Sequence, residues 1–435
     1  MFYIPLRRII PGVLGLCAVL NVVTPVQCTP MARASNSQQG QSSVTTLAQN
    51  GDGPFPYYRI VALTYLGNDV VLASFDGRPD GGDAPSPNSI LQRRSTDGGE
   101  TWGNITYVAK GQKGDASAGV QKYGFSDPSY VVDYNTGKVF NFHVLSKDAG
   151  FRDSVIGNDD SNRDVISAEV SVSTDSGASW STDPLNRPDL PPVPAEEPGA
   201  PPLITRVVKP VGKTVGGVEN VGGVQGTFAT SGEGIQLRYG PHAGRLIQQY
   251  AGSIVQSDGS TAIQAYSVYS DNGGETWQMG QPVGDAMDEN KVVELSNGDV
   301  MLNSRPGDGS GYRKVAISTD GGETYSTPRT EKELPDPTNN GAIARMYPDA
   351  DEGSKEAKIL LFTNTNSQTD RVDGTIRYSC DDGQSWSSGR PFNSDATGYS
   401  TVSPLGNDWY GIFHEVPNQE LVFAKVDKAW IGVSC

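Results

Sequence analysis

The chain has 435 residues, 36% of them hydrophobic, with 52 glycines and 29 prolines. That length suits one large all-β domain or two ordinary ones, and a turn-rich composition favours many short strands over long helices. A formal charge of −16 excludes a broad nucleic-acid-binding face.

At the N-terminus, Arg7 and Arg8 precede an apolar run from Ile9 to about Val23, and Ala32-Arg33-Ala34 follows as a small-residue site. This order reads as a secretory signal peptide over 1–34, so the mature chain is expected outside the cell. The run contains Pro11 and is short for a spanning helix, so no membrane insertion is expected after its removal. Residues 35–52 are polar and low in complexity and read as a flexible lead-in, leaving 53–435 as the functional domain. From Phe55 onward, apolar runs of strand length alternate with turn signals: IVALTYL, DVVLASF, KVFNFHVL, GRLIQQY, DVMLNSR and KILLFTN. No long amphipathic helical pattern is present. The proline-rich stretch 183–202 cannot be a central strand and reads as an extended excursion within the domain. Cys17 and Cys28 lie in or beside the signal, which leaves Cys380 and Cys435 to form one disulfide in an oxidising compartment. The only histidines are His143, His242 and His414, and no Cys/His cluster has metal-ligand spacing, so neither a metal nor another cofactor is expected. Asn104-Ile105-Thr106 is a glycosylation sequon for a eukaryotic source.

One octapeptide recurs five times: STDGGETW at 95–102, STDSGASW at 173–180, SDNGGETW at 270–277, STDGGETY at 318–325 and SCDDGQSW at 379–386. The starts are 78, 97, 48 and 61 residues apart. A stacked solenoid keeps a tighter period, whereas propeller blades tolerate insertions between strands. Ser and Asp can bond local amides, Gly supplies positive φ, and the closing Trp or Tyr packs on a blade. The repeat therefore reads as a structural turn, one per blade. Catalysis needs one site, not five.

These repeats resemble the Asp boxes of sialidases, with Asn272 replacing the Asp in the third copy. Asp boxes also occur in some other glycosidases and in sorting receptors, but the remainder of the chain sharpens the match. YYRIVAL at 57–63 resembles the family's Arg-Ile-Pro opening, with Val61 in place of the proline. The segments SFDGRPDGGDAPSPNSILQRRSTDGG, GFSDPSY, GEGIQLRYGPHAGRLIQQY, MDENKVVELSNG, LNSRPGDGSGYRKV and LPDPTNN are similar to secreted microbial exo-α-sialidases, over about residues 53–435. The resemblance implies an all-β, six-bladed β-propeller. It also implies hydrolysis of terminal sialic acids from glycoproteins, glycolipids or oligosaccharides.

The same resemblance assigns the site. Sialic acid carries a carboxylate on its anomeric carbon, and guanidinium forks hold carboxylates in bidentate fashion. The three arginines of the family match Arg59, Arg305 and Arg371, with Arg377 the rival for the third place. A carboxylate nucleophile would be repelled by that substituent, and sialidases use tyrosine instead. Here the match is Tyr399 in ATGYSTVS, with Glu289 in MDENKVVEL as its base and Asp288 as the neighbour that competes for that assignment. A phenol needs such a base because its pKa lies near 10. The general acid and later base matches Asp83 in GGDAPSPNS, in an exposed loop, and Asp127 in GFSDPS is a further pocket residue.

Other functions remain open at this stage. The C5 pocket is too diffuse to separate acetylated from deaminated sialic acid. An Asp-box glycosidase acting on neutral polysaccharide would need paired carboxylates and no arginine triad. A non-catalytic sugar-binding propeller would be expected to lose Tyr399, Glu289 or Asp83, and all three are present. No lectin-like second domain is evident, which weakens a trans-sialidase reading.

Overall fold

The computed structural model describes residues 40–159, 161–181 and 209–435. The signal peptide over 1–34, with Cys17 and Cys28, the first residues of the lead-in and the proline-rich stretch 183–202 lie outside the described residues. The rest forms six largely antiparallel sheets, the blades of a β-propeller, and a separate two-stranded hairpin, Lys213–Val215 with Val218–Val221. Blade I holds strands Tyr57–Tyr65, Val71–Arg78, Ser89–Ser95 and Thr106–Ala109. In blade II, Gly124–Asp133, Lys138–Ser146 and Ser167–Ser173 are joined on the inner edge by Gly232–Glu233, which runs parallel to Ser129 and Tyr130. Val224–Ala229, Leu246–Val255, Thr261–Ser270 and Gln278–Met279 make blade III, and Met287–Glu294, Val300–Pro306, Tyr312–Ser318 and Arg329–Pro335 make blade IV. Blade V holds Ala342–Arg345, Leu360–Thr365, Val372–Ser379 and Arg390–Ala396. Blade VI takes Ser400–Gly406, Trp409–Val416 and Glu420–Asp427 from the end of the chain, and its fourth strand, Ser42–Gln49, from the beginning. All six apolar runs picked out in the sequence fall on strands, and the only α-helix among the described residues is Lys428–Ile431.

The apolar core is divided among the contacts between neighbouring blades. Phe75 and Val61 of blade I pack with Phe413 and Phe423 of blade VI. Phe142 and Val170 of blade II meet Tyr250 and Val268 of blade III. Equivalent clusters join III to IV, IV to V and V to VI, and two smaller ones join I to II. Each blade buries its faces only against two neighbours, so the ring is stable only when closed.

Four of the Asp boxes lie between the third and fourth strands of their blades, and that of blade II follows its outer strand, Ser167–Ser173. In the first, the Ser95 hydroxyl donates to Asp97 Oδ1 at 2.7 Å and accepts from Gly99 N at 2.9 Å. Thr101 donates to the Asp97 carboxylate through its amide at 2.9 Å and its hydroxyl at 2.5 Å. The same pattern recurs at Asp175, Asp320 and Asp381. Asn272 preserves it by accepting through Oδ1 and donating Nδ2–H to Thr276 Oγ1 at 2.9 Å. The glycine of the box is required twice over. Gly274 has φ +83, and a Cβ there would sit 2.2 Å from Phe140 Cζ of the preceding blade. The boxes of the other four blades meet Phe423, Leu72, Ile247 and Met301 of their preceding blades in the same way. The box is thus a hinge-free turn pressed against its neighbour. Blade VI has none, because its fourth strand comes from the other end of the chain.

That closure corrects the expected lead-in. Residues 42–49 are a strand paired with Glu420–Asp427, not a flexible tether. Leu47 and Ala48 enter the core while Ser42, Ser43 and Val44 face solvent, so an edge strand with few apolar residues is enough. Cys380, inside the last Asp box, and Cys435 form the disulfide, which ties the chain end to blade V.

Candidate active site

Arg59 is the third residue of the inner strand Tyr57–Tyr65, at a β-bulge between Arg59 and Val61. The bulge rests on Ile60 at φ +61, a strained backbone for a β-branched residue. Ile60 N donates to Glu415 Oε1 at 2.6 Å, and Glu415 Oε2 pairs with Arg59 Nη2 at 3.2 Å and accepts from Tyr399 N at 3.1 Å. One buried carboxylate therefore holds the strained turn, the guanidinium and the tyrosine backbone together. Burial opposes the charge on Glu415, but Arg59 and the two amides outweigh it and leave the carboxyl below its ordinary value. The same pairing, with Glu415 as its main cause, raises Arg59 above the usual arginine value.

Tyr399 directly precedes the inner strand Ser400–Gly406 and is 7% exposed. Its hydroxyl accepts from Arg305 Nη1 at 3.0 Å, and the same nitrogen donates to Glu289 Oε2 at 2.6 Å. The guanidinium carbons of Arg59 and Arg371 lie 5.4 Å and 5.6 Å from the Tyr399 ring centroid. Burial and then Glu289 push the phenol well above its ordinary value, while the three arginines oppose the shift. Glu289 is the third residue of Met287–Glu294 and is buried. Its neighbour Asp288 approaches Arg305 Nε only to 3.8 Å. That buried Nε–H has no hydrogen-bond partner, which leaves a donor free for an arriving acceptor.

Geometry separates the two candidates for the third arginine. Arg371 points to the Tyr399 ring and donates to Thr338 O at 2.9 Å. Arg377 is buried within blade V, bonded to the side-chain oxygens of Asn364 and Asn366, and burial lowers it to about 10.

Asp83 lies on the loop between Val71–Arg78 and Ser89–Ser95 and its side chain is 78% exposed. Arg78, fully buried, reaches it at 2.5 Å while its other nitrogens hold Asp76 at 2.9 and 3.1 Å. Asp76 in turn accepts from Asp127 N at 3.1 Å. Asp127 has φ +64 at a second β-bulge, and burial, then Asp76, push its carboxyl well up. Beside Arg59 opens a cleft of about 210 Å³ lined by Tyr57, Asp80, Gly81 and Asn418.

Of the residues singled out in the sequence, Arg377 stands apart within blade V, and the seven expected site residues fall into two groups. One is Arg59, Arg305, Arg371, Glu289 and Tyr399; the other is Asp83 and Asp127, joined through Arg78 and Asp76. Glu415, Arg78 and Asp76 were missed. Their signals were modest: an acid within the apolar strand Trp409–Val416, and an acid and an arginine two residues apart on one face of Val71–Arg78. His143 bonds Ser171, His414 packs on Phe392, and His242 ends the short 3-10 turn Gly240–His242. Among the described residues no group of three or more His, Cys, Asp or Glu is placed to hold a metal.

Residues 231–414 match the family model of the BNR repeat-like domain. Over 435 aligned residues the chain is 46% identical to a sialidase of Micromonospora viridifaciens, an alignment that covers 99% of this chain and 61% of the relative. A sialidase of Bacteroides fragilis (strain YCH46) is 27% identical over 390 residues, 86% of this chain and 63% of that protein. The chain thus spans about three-fifths of the length of these curated relatives. Among solved structures, the Hadza microbial sialidase Hz136 is similar with a TM-score of 0.69 at 22% identity, over 88% of this chain and 68% of that one. The chain is a homologue of microbial sialidases with BNR-type repeats, and its six-bladed propeller is the fold of solved sialidases.

Proposed function

We propose that this homologue is a secreted, retaining exo-α-sialidase that removes terminal sialic acids from glycoproteins, glycolipids or oligosaccharides through a tyrosyl-enzyme intermediate. The observation that carries the proposal is the single Arg305 nitrogen that holds both Glu289 and the Tyr399 hydroxyl, with two further guanidiniums on the Tyr399 ring. A tyrosine ringed by three arginines has little structural purpose. It suits a substrate whose anomeric carbon carries a carboxylate.

In this mechanism Arg59, Arg305 and Arg371 hold the sialic acid carboxylate. Glu289 takes the phenolic proton as Tyr399 Oη bonds to the anomeric carbon, and Asp83 protonates the departing glycosidic oxygen. Asp83 then removes a proton from water, the water oxygen attacks the anomeric carbon, and the phenolate leaves and recovers its proton from Glu289. Two inversions give net retention. The raised phenol pKa makes the base necessary, since the proton does not leave unaided near neutrality. Asp83 suits its part because it is solvent-accessible where the aglycone departs, and Arg78 fixes its direction. Asp127 lines the pocket between them.

A 2,3-difluorinated sialosyl fluoride tests the assignment. The C3 fluorine slows both steps, so the adduct accumulates and mass spectrometry should place the label on the peptide containing Tyr399. A label on Glu289 or Asp83, or a first product of inverted configuration, defeats the mechanism. Running the turnover assay on acetylated and deaminated sialosides decides which sialic acid is preferred.

A further inference from the structure

A well-formed cavity lies away from the arginine cluster, at the other end of the inner strands. It holds about 660 Å³, within the range of small-molecule sites. The inner strands set the separation. Arg59 and Glu289 are the third residues of Tyr57–Tyr65 and Met287–Glu294, whereas the cavity is lined by Tyr65 and Glu294, the last residues of those strands. Five residues of strand from Glu289 to Glu294 span roughly 16 Å.

The cavity wall carries five acids against two arginines. Both arginines are engaged: Arg238 pairs with Asp349 at 2.7 Å and Arg345 with Glu294 at 3.5 Å. Glu233 differs. It is carried to the channel axis because Gly232–Glu233 adds to the inner edge of blade II. Thr64 Oγ1 donates to it at 2.5 Å and Ser403 also donates, but no cation among the described residues acts on it. Around it stand aromatic walls, Tyr65, Tyr134, Tyr347 and Trp409.

We propose that this cavity binds a small organic ammonium ion with an apolar body, whose charge pairs with the Glu233 carboxylate while its body lies on the aromatic walls. A carboxylate without a cation, at the base of an aromatic-lined and acidic cavity, is complementary to a cation and repels anions. A metal ion is a poorer fit, since no cluster of three ligating side chains is present among the described residues. The site stands independently of any activity at the opposite face.

Burial pushes the Glu233 carboxyl up to about 8, so in the empty cavity Glu233 is protonated below that pH and must release its proton to pair with the cation. The groups around it are these. The Tyr134 phenol is driven well above its ordinary value, first by burial and then by Glu233; the Glu294 carboxyl is also pushed up by burial, against the Tyr239 amide and Arg345; and Asp349 pairs with Arg238. Asp408 and Glu356 lie near Lys428.

The test is calorimetric titration of the full chain with benzyltrimethylammonium chloride, whose charge does not change with pH. Saturable binding is expected, weakening about tenfold per pH unit below 8. Glu233→Gln should weaken it at least tenfold at pH 8.5 while keeping the thermal midpoint. Ala344→Trp, which fills the cavity from a partly exposed wall position, should abolish it. Tyr399→Phe, at the other face, should leave it unchanged. The proposal is overturned if no binding is seen up to about 10 mM, if Glu233→Gln binds as wild type, if Tyr399→Phe loses binding, or if neutral benzyl alcohol binds as well.

Discussion

Replacing Glu415 by Gln should weaken the fold and the site together, because this carboxylate makes three contacts that no neutral group reproduces. The amide oxygen can still accept from Ile60 N, now 2.6 Å from a charged acceptor, but a neutral acceptor forms a bond about half as strong. The amide NH₂ then faces Tyr399 N and Arg59 Nη2, donor against donor. A buried N–H left unpaired costs about 1–3 kcal/mol. The Arg59 pair adds about 1 kcal/mol at most, since that side chain is 33% exposed and solvent screens it. The combined loss is about 4 kcal/mol, inside the range for breaking one partner of a buried pair. Urea unfolding measures it. The difference should have a specific pH dependence. Glu415 is depressed below its ordinary value in the folded state, so its stabilisation is present above about pH 4.5 and fades as the pH falls further. Wild type and variant should converge in acid. With the Ile60 strain no longer held, Arg59 shifts, and kcat/KM should fall about a hundredfold. A variant within 0.5 kcal/mol of wild type at neutral pH, on the order of the scatter of neutral surface changes, would refute the role given to Glu415.

Arg371→Ala should cut kcat/KM far more than Arg377→Ala, while Arg377→Ala should lower the unfolding free energy more, since it empties a buried position; the reverse order in either measurement contradicts the placement of the two. Gly274→Ala should destabilise by more than about 2 kcal/mol, because positive φ and the Phe140 ring both exclude a Cβ, yet leave KM unchanged. The Asp boxes should also make the protein sensitive to acid. Hydrogen bonds from Thr101 and Ser179 depress Asp97 and Asp175 to about 2, so their stabilisation is present above their ordinary pKa and lost as pH falls towards 2, which circular dichroism can follow. Reducing Cys380–Cys435 should lower stability by up to about 4 kcal/mol by the loop-entropy argument, read as a drop in thermal midpoint in the presence of reductant.

The local signals were strong where a short segment determines its own geometry. Each Asp box closes its bonds within seven residues, so five copies announced five turns and, with them, the blade count less one. Apolar runs such as DVMLNSR and KILLFTN became strands buried along nearly their whole length, which a short apolar run bounded by turn signals announces locally. The polar segment 42–49 misled because its partner, Glu420–Asp427, lies some 370 residues away in the chain, and an edge strand needs only Leu47 and Ala48 inward. Glu415 and Arg78 were missed for a related reason: a buried charge within an apolar strand has only a faint local signature, and its purpose appears only with its partners.

Sequence by itself determined the class of fold, its repeated turn, the pairing of the last two cysteines and a set of residue types suited to a carboxylated sugar. It left open which of Arg371 and Arg377 belonged to that set. Tertiary structure turned Arg371 to the Tyr399 ring and buried Arg377 within blade V, and it alone set the support of Arg59 by Glu415, the link from Asp83 to Asp127 through Arg78 and Asp76, and the second cavity around Glu233. Arg59, Glu289, Arg305, Arg371 and Tyr399 come from four different blades, and only closure of the ring sets them within a hydrogen bond or a ring's width of one another. Distances of that kind depend on how blades stack, and stacking depends on the apolar contacts between blades, which no single stretch of the chain contains.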